Sequence, residues 1–269
     1  MRAYRLFPLL TLAIPLFFGC SSDPDNTTGS TSSSSSSGSS SGAGGSGGGG
    51  AMCMPTSPIP CEDQVALGVV FKNNQAPGLI TDAPDGKGFW STIDARAGGF
   101  SFTDSYVYAK FTPTGLQKIE MTDNESIASM EWDIAFRRFV IRINSGNSGP
   151  SCVTAAKMKP GTVFDDLATT PADALFIPDE YFSAACEVIP DGSGLPDSPA
   201  TVLSGFWTYA SCVQMTGNVY VLQKADGTRV KLTITDYYEP TAQEQCNTTG
   251  SVPMGTPGAM MRMRWAFVP

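Results

Sequence analysis

The chain of 269 residues contains no histidine. That removes the Ser-His-Asp and Cys-His catalytic devices. It also removes imidazole as a ligand for zinc or haem iron. Charge is scarce and acidic, with 17 Lys+Arg against 25 Asp+Glu and a net charge of -8. No basic run occurs, so nucleic acid is not an expected partner. No CxxC pair occurs among the 7 cysteines, which argues against structural zinc. Beyond Phe18 no apolar stretch is long enough to cross a bilayer. No long stretch carries helical periodicity either.

What is present begins with "MRAYRLFPLLTLAIPLFFGC". Arg2 and Arg5 precede an apolar run, Leu6 to Phe18, that is too short to span a bilayer comfortably. This is the layout of a signal peptide, residues 1–19. Gly19-Cys20-Ser21-Ser22 resembles a bacterial lipobox, which makes Cys20 the lipidated residue. An ordinary secreted protein cut nearby is the alternative. Ser21 is compatible with delivery to the outer membrane, on its periplasmic or surface side. From Gly29 to Gly50 every residue except Thr31 and Ala43 is Ser or Gly. Such a low-complexity linker has no apolar burial to offset its ordering entropy. Residues 20–50 are therefore expected to be a lipidated, disordered tether, and thirty such residues reach roughly 30 Å. Residues 51–269 are long enough for one domain.

Six cysteines lie in that domain: Cys53, Cys61, Cys152, Cys186, Cys212 and Cys246. An even number in an exported chain reads as disulfides. Six permit 15 pairings. Proximity in sequence suggests Cys53–Cys61, Cys152–Cys186 and Cys212–Cys246.

The domain reads as strands. Val65–Phe71, Phe89–Ile93, Tyr106–Phe111 and Leu116–Met121 are short apolar, β-branched or aromatic runs. Thr112-Pro113-Thr114-Gly115 has the residues of a β-turn between two of them. Asp226-Gly227 separates two alternating runs, a strong hairpin signal. On the second arm Val230, Leu232 and Ile234 share one face, with Arg229, Lys231, Thr233 and Thr235 on the other. Met261, Met263, Trp265 and Phe267 share one face of a half-buried terminal strand. Within "WDIAFRRFVIRINSGNSG" (Trp132–Gly149), Trp132, Ile134 and Phe136 alternate, as do Phe139, Ile141 and Ile143. Asn144 to Pro150 then reads as a mobile loop of turn residues. Strands and turns at this spacing predict an all-β fold, an antiparallel sandwich or barrel-like body.

"WDIAFRRFVIRINSGNSG" resembles the W-D-[IM]-A-[FL]-x-R-[FY]-x-[IV]-R-x-N-x-G-x-S-G signature of HmuY-like proteins. Ser91–Met121 is similar to the strand-turn segment before that signature. Gly205–Pro240 and the closing "MRMRWAFVP" are similar to the C-terminal half of the family. The resemblance covers about Ser91 to Pro269, apart from a divergent interval, Pro160–Ser204. It implies an all-β fold, capture of haem outside the cell, and a TonB-dependent outer-membrane receptor as partner. In the best-known members two axial histidines hold the iron, and relatives that use Met belong to the same picture. One ligand position falls in the gap that holds Ser211, Cys212, Val213, Gln214 and Met215. The other falls in the divergent interval.

Met215 is the leading candidate for iron, with gap-filling in a core as its plain alternative. Cys212 is a second candidate, unless a disulfide removes its thiolate. Met158, Met254, Tyr181 and Tyr209 are weaker ones. Arg137, Arg138 and Arg142 are candidates for porphyrin carboxylates, with a solvated strand face as the alternative. Asp133 reads as a carboxylate that bonds backbone at a strand end. The acid pairs Asp165-Asp166 and Asp179-Glu180 read as turn residues rather than a catalytic pair. The expected function is a haem- or porphyrin-capturing lipoprotein with Met ligation. The alternative is a surface binding or interaction module, without haem, on the same scaffold. No enzymatic activity is expected.

Overall fold

The hairpins legible in the sequence are the units of both sheets. The computed structural model describes residues 53–193, 195 and 198–269. The expected signal peptide (1–19) and the expected lipidated Cys20 with its tether (20–50) lie outside the described residues. In chain order the strands are β1 (Ile80–Asp85), β2 (Gly88–Asp94), β3 (Val107–Thr112), β4 (Gly115–Ile119), β5 (Ile134–Arg137) and β6 (Val140–Ile143). They continue with β7 (Thr154–Lys157), β8 (Trp207–Tyr209), β9 (Val213–Met215), β10 (Val219–Gln223), β11 (Arg229–Tyr238) and β12 (Gly258–Val268). Helices are few: α1 (Glu62–Gly68), α2 (Asp123–Ser126) and α3 (Pro240–Thr249).

Six strands form one sheet in the order β1-β2-β12-β11-β10-β7, and four form a second in the order β4-β3-β5-β6. Every ladder in both is antiparallel. The sheets share one core. Ile134, Phe136, Ile141 and Ile143 from the small sheet join Leu222, Val230, Leu232, Met261, Met263 and Trp265 from the large one. The arrangement is a sandwich, and no barrel closes among the described residues. The short pair β8-β9 packs on the same core through Trp207 and Val213.

The turns follow their residues. Thr112 pairs with Gly115, so Pro113-Thr114 form a two-residue turn. In the β10–β11 hairpin Gly227 takes φ 83, which completes a three-residue turn closed by Lys224 and Thr228. Between β5 and β6, Arg137 pairs with Val140, leaving Arg138-Phe139 as the turn.

Several expectations fail for local reasons. Val65–Phe71 is not a strand, because Glu62–Gly68 is helical. Val65 and Val69, one helical turn apart, are the buried residues of that run, and they meet Tyr181 and Phe182. A short apolar run does not by its own period separate strand from helix. The helix α3 is also missing from the sequence reading. Its signals are Pro240 at the first turn, Glu239 accepting from the Ala242 amide, and Gly250 at φ 73 just past its end. Trp132 does not share the face of Ile134 and Phe136. It precedes β5 and packs with Tyr106, Tyr108, Met121 and Ala135 on the outer face of the small sheet.

The disulfides are Cys53–Cys152, Cys61–Cys186 and Cys212–Cys246. Proximity in sequence gives the last pair and misassigns the other two. The reason is the path of the N-terminal strap. The Thr56 amide donates to Pro150 O and the Asn147 side chain donates to Pro60 O, so the strap runs along the loop after β6.

Candidate functional site

The segment after β6 is the opposite of a mobile loop. Asn144, Ser145, Asn147 and Ser148 are all buried. Asn144 donates to Ser129 O and Trp132 O, both at 2.9 Å, and accepts from the Ser151 amide at 3.1 Å. Asp179, some thirty residues downstream, anchors the rest. Its carboxylate accepts from the Ile143 amide at 2.8 Å, the Val202 amide at 2.7 Å and Ser148 Oγ at 2.9 Å. Its carbonyl accepts from the Asn147 amide at 2.7 Å. Burial pushes the Asp179 carboxyl up to about 6. Two glycines let the chain close on itself. A Cβ on Gly146, which has φ 56, would stand 2.3 Å from Asp179 O, and one on Gly149 would stand 2.2 Å from Asn144 Oδ1.

Arg142 sits at the centre of this knot. Its relative exposure is 0%, so it is neither a solvated strand residue nor within reach of a ligand carboxylate. Nη2 donates to Ser148 O at 2.6 Å, Nε to Ser148 Oγ at 3.3 Å and Nη1 to Tyr108 Oη at 3.3 Å. The guanidinium lies 4.8 Å from the Tyr106 ring centre, 5.1 Å from that of Phe71 and 5.7 Å from that of Trp132. Trp132 Nε1 donates to Ser126 O at 3.1 Å. Asp133 accepts from the Phe111 amide at 2.9 Å, and burial pushes its carboxyl up to about 6. The distinctive residues of the signature segment thus hold one another.

Arg137 is committed as well. Nη1 donates to Val70 O at 3.0 Å and to Asp123 Oδ2 at 3.3 Å, and Nη2 donates to Val69 O. Its guanidinium lies 4.0 Å from the Tyr106 ring centre.

A cleft opens beside the β5–β6 turn. It holds about 200 Å³. Its walls include Val69, Val70, Phe102, Tyr106, Phe139 and Val140, with Arg138 among them and Ser198-Pro199 on one side. Three of these residues hold left-handed backbone: Val70 at φ 52, Phe102 at φ 45 and Arg138 at φ 52. Such conformations cost about 1–3 kcal/mol each in residues other than glycine and gather at binding clamps. Val70 is 41% exposed, which leaves an apolar rim in water. Phe139 lies 5.2 Å, centre to centre, from Trp207 at the start of β8. Arg138 is buried, its amide donates to Ala95 O at 2.7 Å, and its charge reaches Tyr237.

A second hollow of about 760 Å³ lies by Phe164, Lys231 and Arg264. Its charges face protein partners. Arg264 bonds Asp85 and Asp165, and Lys231 donates to Phe164 O at 2.7 Å and Leu167 O at 2.9 Å. The first cleft is the better candidate for a ligand.

The expected iron donors are dispersed. Cys212 is bonded to Cys246 and has no thiolate to offer. Met215 is half-buried, pairs across its hairpin with Trp207 and packs on the main core. Met158 is buried in a separate cluster beneath the large sheet, and Met254 is fully exposed. Tyr181 is buried, which pushes its hydroxyl up to about 12. Tyr209 is 50% exposed on β8. The sequence reading missed Val70, Phe102 and Tyr106 as cleft residues, because an apolar side chain near a turn carries no local signal of a site.

The family model for HmuY protein matches residues 103–250, more than half of the chain. The chain belongs to the HmuY family. Within this HmuY chain the matched span holds the whole signature knot, β5, β6 and the β8–β9 hairpin. Solved structures similar to it include a candidate lipoprotein from Bacteroides fragilis, at 12% identity and TM-score 0.43, covering 68% of this chain and 91% of that one. A candidate HmuY-like heme binding protein from Bacteroides vulgatus is similar at 18% identity and TM-score 0.42, covering 70% and 96%. The apo HmuY analog of Tannerella forsythia is similar at 17% identity and TM-score 0.37, covering 72% and 98%. No curated protein matches the chain. The donors of this HmuY chain do not fit two-histidine haem ligation: it has no imidazole, and Cys212 is held as a disulfide.

Proposed function

We propose that this HmuY-family chain captures a tetrapyrrole, haem or its metal-free parent, without histidine and without catalysis. The cleft carries the reading. Its aromatic and aliphatic walls suit a flat apolar ring, and Arg138 suits a ring carboxylate through a charge-assisted hydrogen bond. Pockets that enclose a whole ligand measure roughly 300–1,000 Å³. A cleft of about 200 Å³ takes one edge of the ring, with the remainder lying over the exposed rim at Val70. Met215 is the proposed thioether contact for iron. Cys20 is the proposed lipid attachment, and residues 20–50 the tether of an envelope lipoprotein. Outer-membrane placement and a TonB-dependent receptor as acceptor belong to the same proposal.

Hemin titrated into the chain is expected to give a shifted, sharpened Soret band. Met215→Ala is expected to weaken it; an unchanged spectrum in that variant ends the role of Met215. Arg138→Ala is expected to weaken both hemin and protoporphyrin IX. A second reading, a non-haem binding module on the same scaffold, draws support from the missing histidine and the oxidised Cys212. It predicts no response to hemin or to protoporphyrin IX.

A further inference from the structure

We propose that Trp207, behind Phe139, is a ligand-binding residue of this cleft, and that the Phe139 ring swings aside to uncover it. The inference rests on the cleft being the ligand site. Trp207 is 3% exposed, yet no acceptor among the described residues reaches its Nε1. The two other fully buried or stacked indoles of the core show the usual arrangement: Trp132 Nε1 donates to Ser126 O at 3.1 Å and Trp265 Nε1 to Ser91 Oγ at 2.7 Å. Native proteins pair nearly all such donors, and a buried one left unmade costs about 1–3 kcal/mol. Trp207 therefore holds a donor that a bound molecule can satisfy.

The ring next to Trp207 is the one at the cleft. Phe139 lines the cleft, touches Trp207 at 5.2 Å between ring centres and is only partly buried. It occupies the second position of a two-residue turn whose first residue, Arg138, is held at φ 52. The ring packs on the main core while also lining the cleft, so a change of rotamer can carry it out of its place against Trp207 into that open space. With the ring moved, the cleft that Arg138 lines extends to the Trp207 indole behind it. The indole offers a neutral donor and Arg138 a positive charge. The ligand chemistry that uses both is a planar apolar body bearing a carboxylate. A purely hydrocarbon ligand leaves the indole N–H unpaired.

The test uses the full-length chain in detergent, labelled with 15N-tryptophan, and protoporphyrin IX as probe. The 4 tryptophans give four indole signals, and Trp207→Phe identifies one. In Phe139→Ala, without ligand, the Trp207 indole proton is expected to exchange with solvent at least about tenfold faster. Unchanged exchange overturns the cover, whether or not anything binds. In the parent chain protoporphyrin IX is expected to move the Trp207 signal downfield. Trp207→Phe, which keeps the ring and loses the donor, is expected to bind it about tenfold more weakly. Binding that leaves the Trp207 signal in place and Trp207→Phe unaffected overturns the contact. Fast exchange in Phe139→Ala with no protoporphyrin binding at all upholds the cover and overturns the contact together with the tetrapyrrole reading. Should Trp207→Phe fail to fold, the indole signal whose exchange quickens in Phe139→Ala identifies Trp207, and its shift in the parent chain then decides.

Discussion

Arg138 and Arg142 stand four positions apart on one hairpin, and both are shielded from water, yet they serve different ends. Arg142 gives its guanidinium to Ser148 and Tyr108 and fills a cage of Tyr106, Phe71 and Trp132 rings. Arg138 holds a left-handed turn and lines the cleft. The signature residues around Arg142 build the support, and the turn they support presents the binding surface. A distinctive motif in a binding protein can therefore mark the scaffold rather than the contact.

The largest test of that contrast is Arg142→Ala. It empties the aromatic cage and leaves Asp179 buried without its neighbouring cation, and the loss is expected to be about 3–5 kcal/mol in urea unfolding. A loss below about 1 kcal/mol would show that the knot is not the support. Gly149→Ala comes next. Its Cβ would meet Asn144 Oδ1 at 2.2 Å and Trp132 Cζ2 at 2.8 Å, inside the knot. The expected cost is about 1–3 kcal/mol. Gly227→Ala, at φ 83 with nothing within 4 Å, should cost only about 1 kcal/mol.

A pH series sharpens the same comparison. Asp133 and Asp179 titrate at about 6 in the fold against an ordinary 3.8, through burial. Between those values the native state keeps protons that the unfolded chain has released. Their contribution to stability is complete below the unfolded value and is lost as the pH rises through about 6. Melting should therefore occur several degrees higher near pH 4.5 than near pH 7, a difference that Asp179→Asn reduces. Flat melting across that range would contradict the burial of both carboxylates. Arg138→Ala empties no aromatic cage and should unfold more like the parent than Arg142→Ala does. Its effect is expected instead as about tenfold weaker protoporphyrin IX binding, or about 1.4 kcal/mol.

The sequence discloses the hairpins, because turn residues and a period of two are local. It does not disclose what covers them. Lys231 stands on the polar face of β11, yet it is buried because Phe164 and Leu167, over sixty residues upstream, lie across it. Asn144 to Pro150 has the composition of a loose loop. Asp179 makes it rigid, and nothing local in "PDEY" announces that. The order β2-β12-β11 joins the ends of the domain and is equally silent in a single strand. Of the site, Arg138 was legible as a cation on a hairpin. Phe139 read as core, which is half of its placement. Phe102 and Val70 enter the cleft only through backbone angles that no side-chain pattern records.

The bond between Cys53 and Cys152 has a mechanical consequence. Any pull arriving from upstream of Cys53 passes through sulfur into the loop next to the knot. A second link, Cys61 to Cys186, stands in series behind it. Load applied at Cys53 therefore enters the body just before β7 and again at Cys186, shared between two points instead of drawn through one end of the strap.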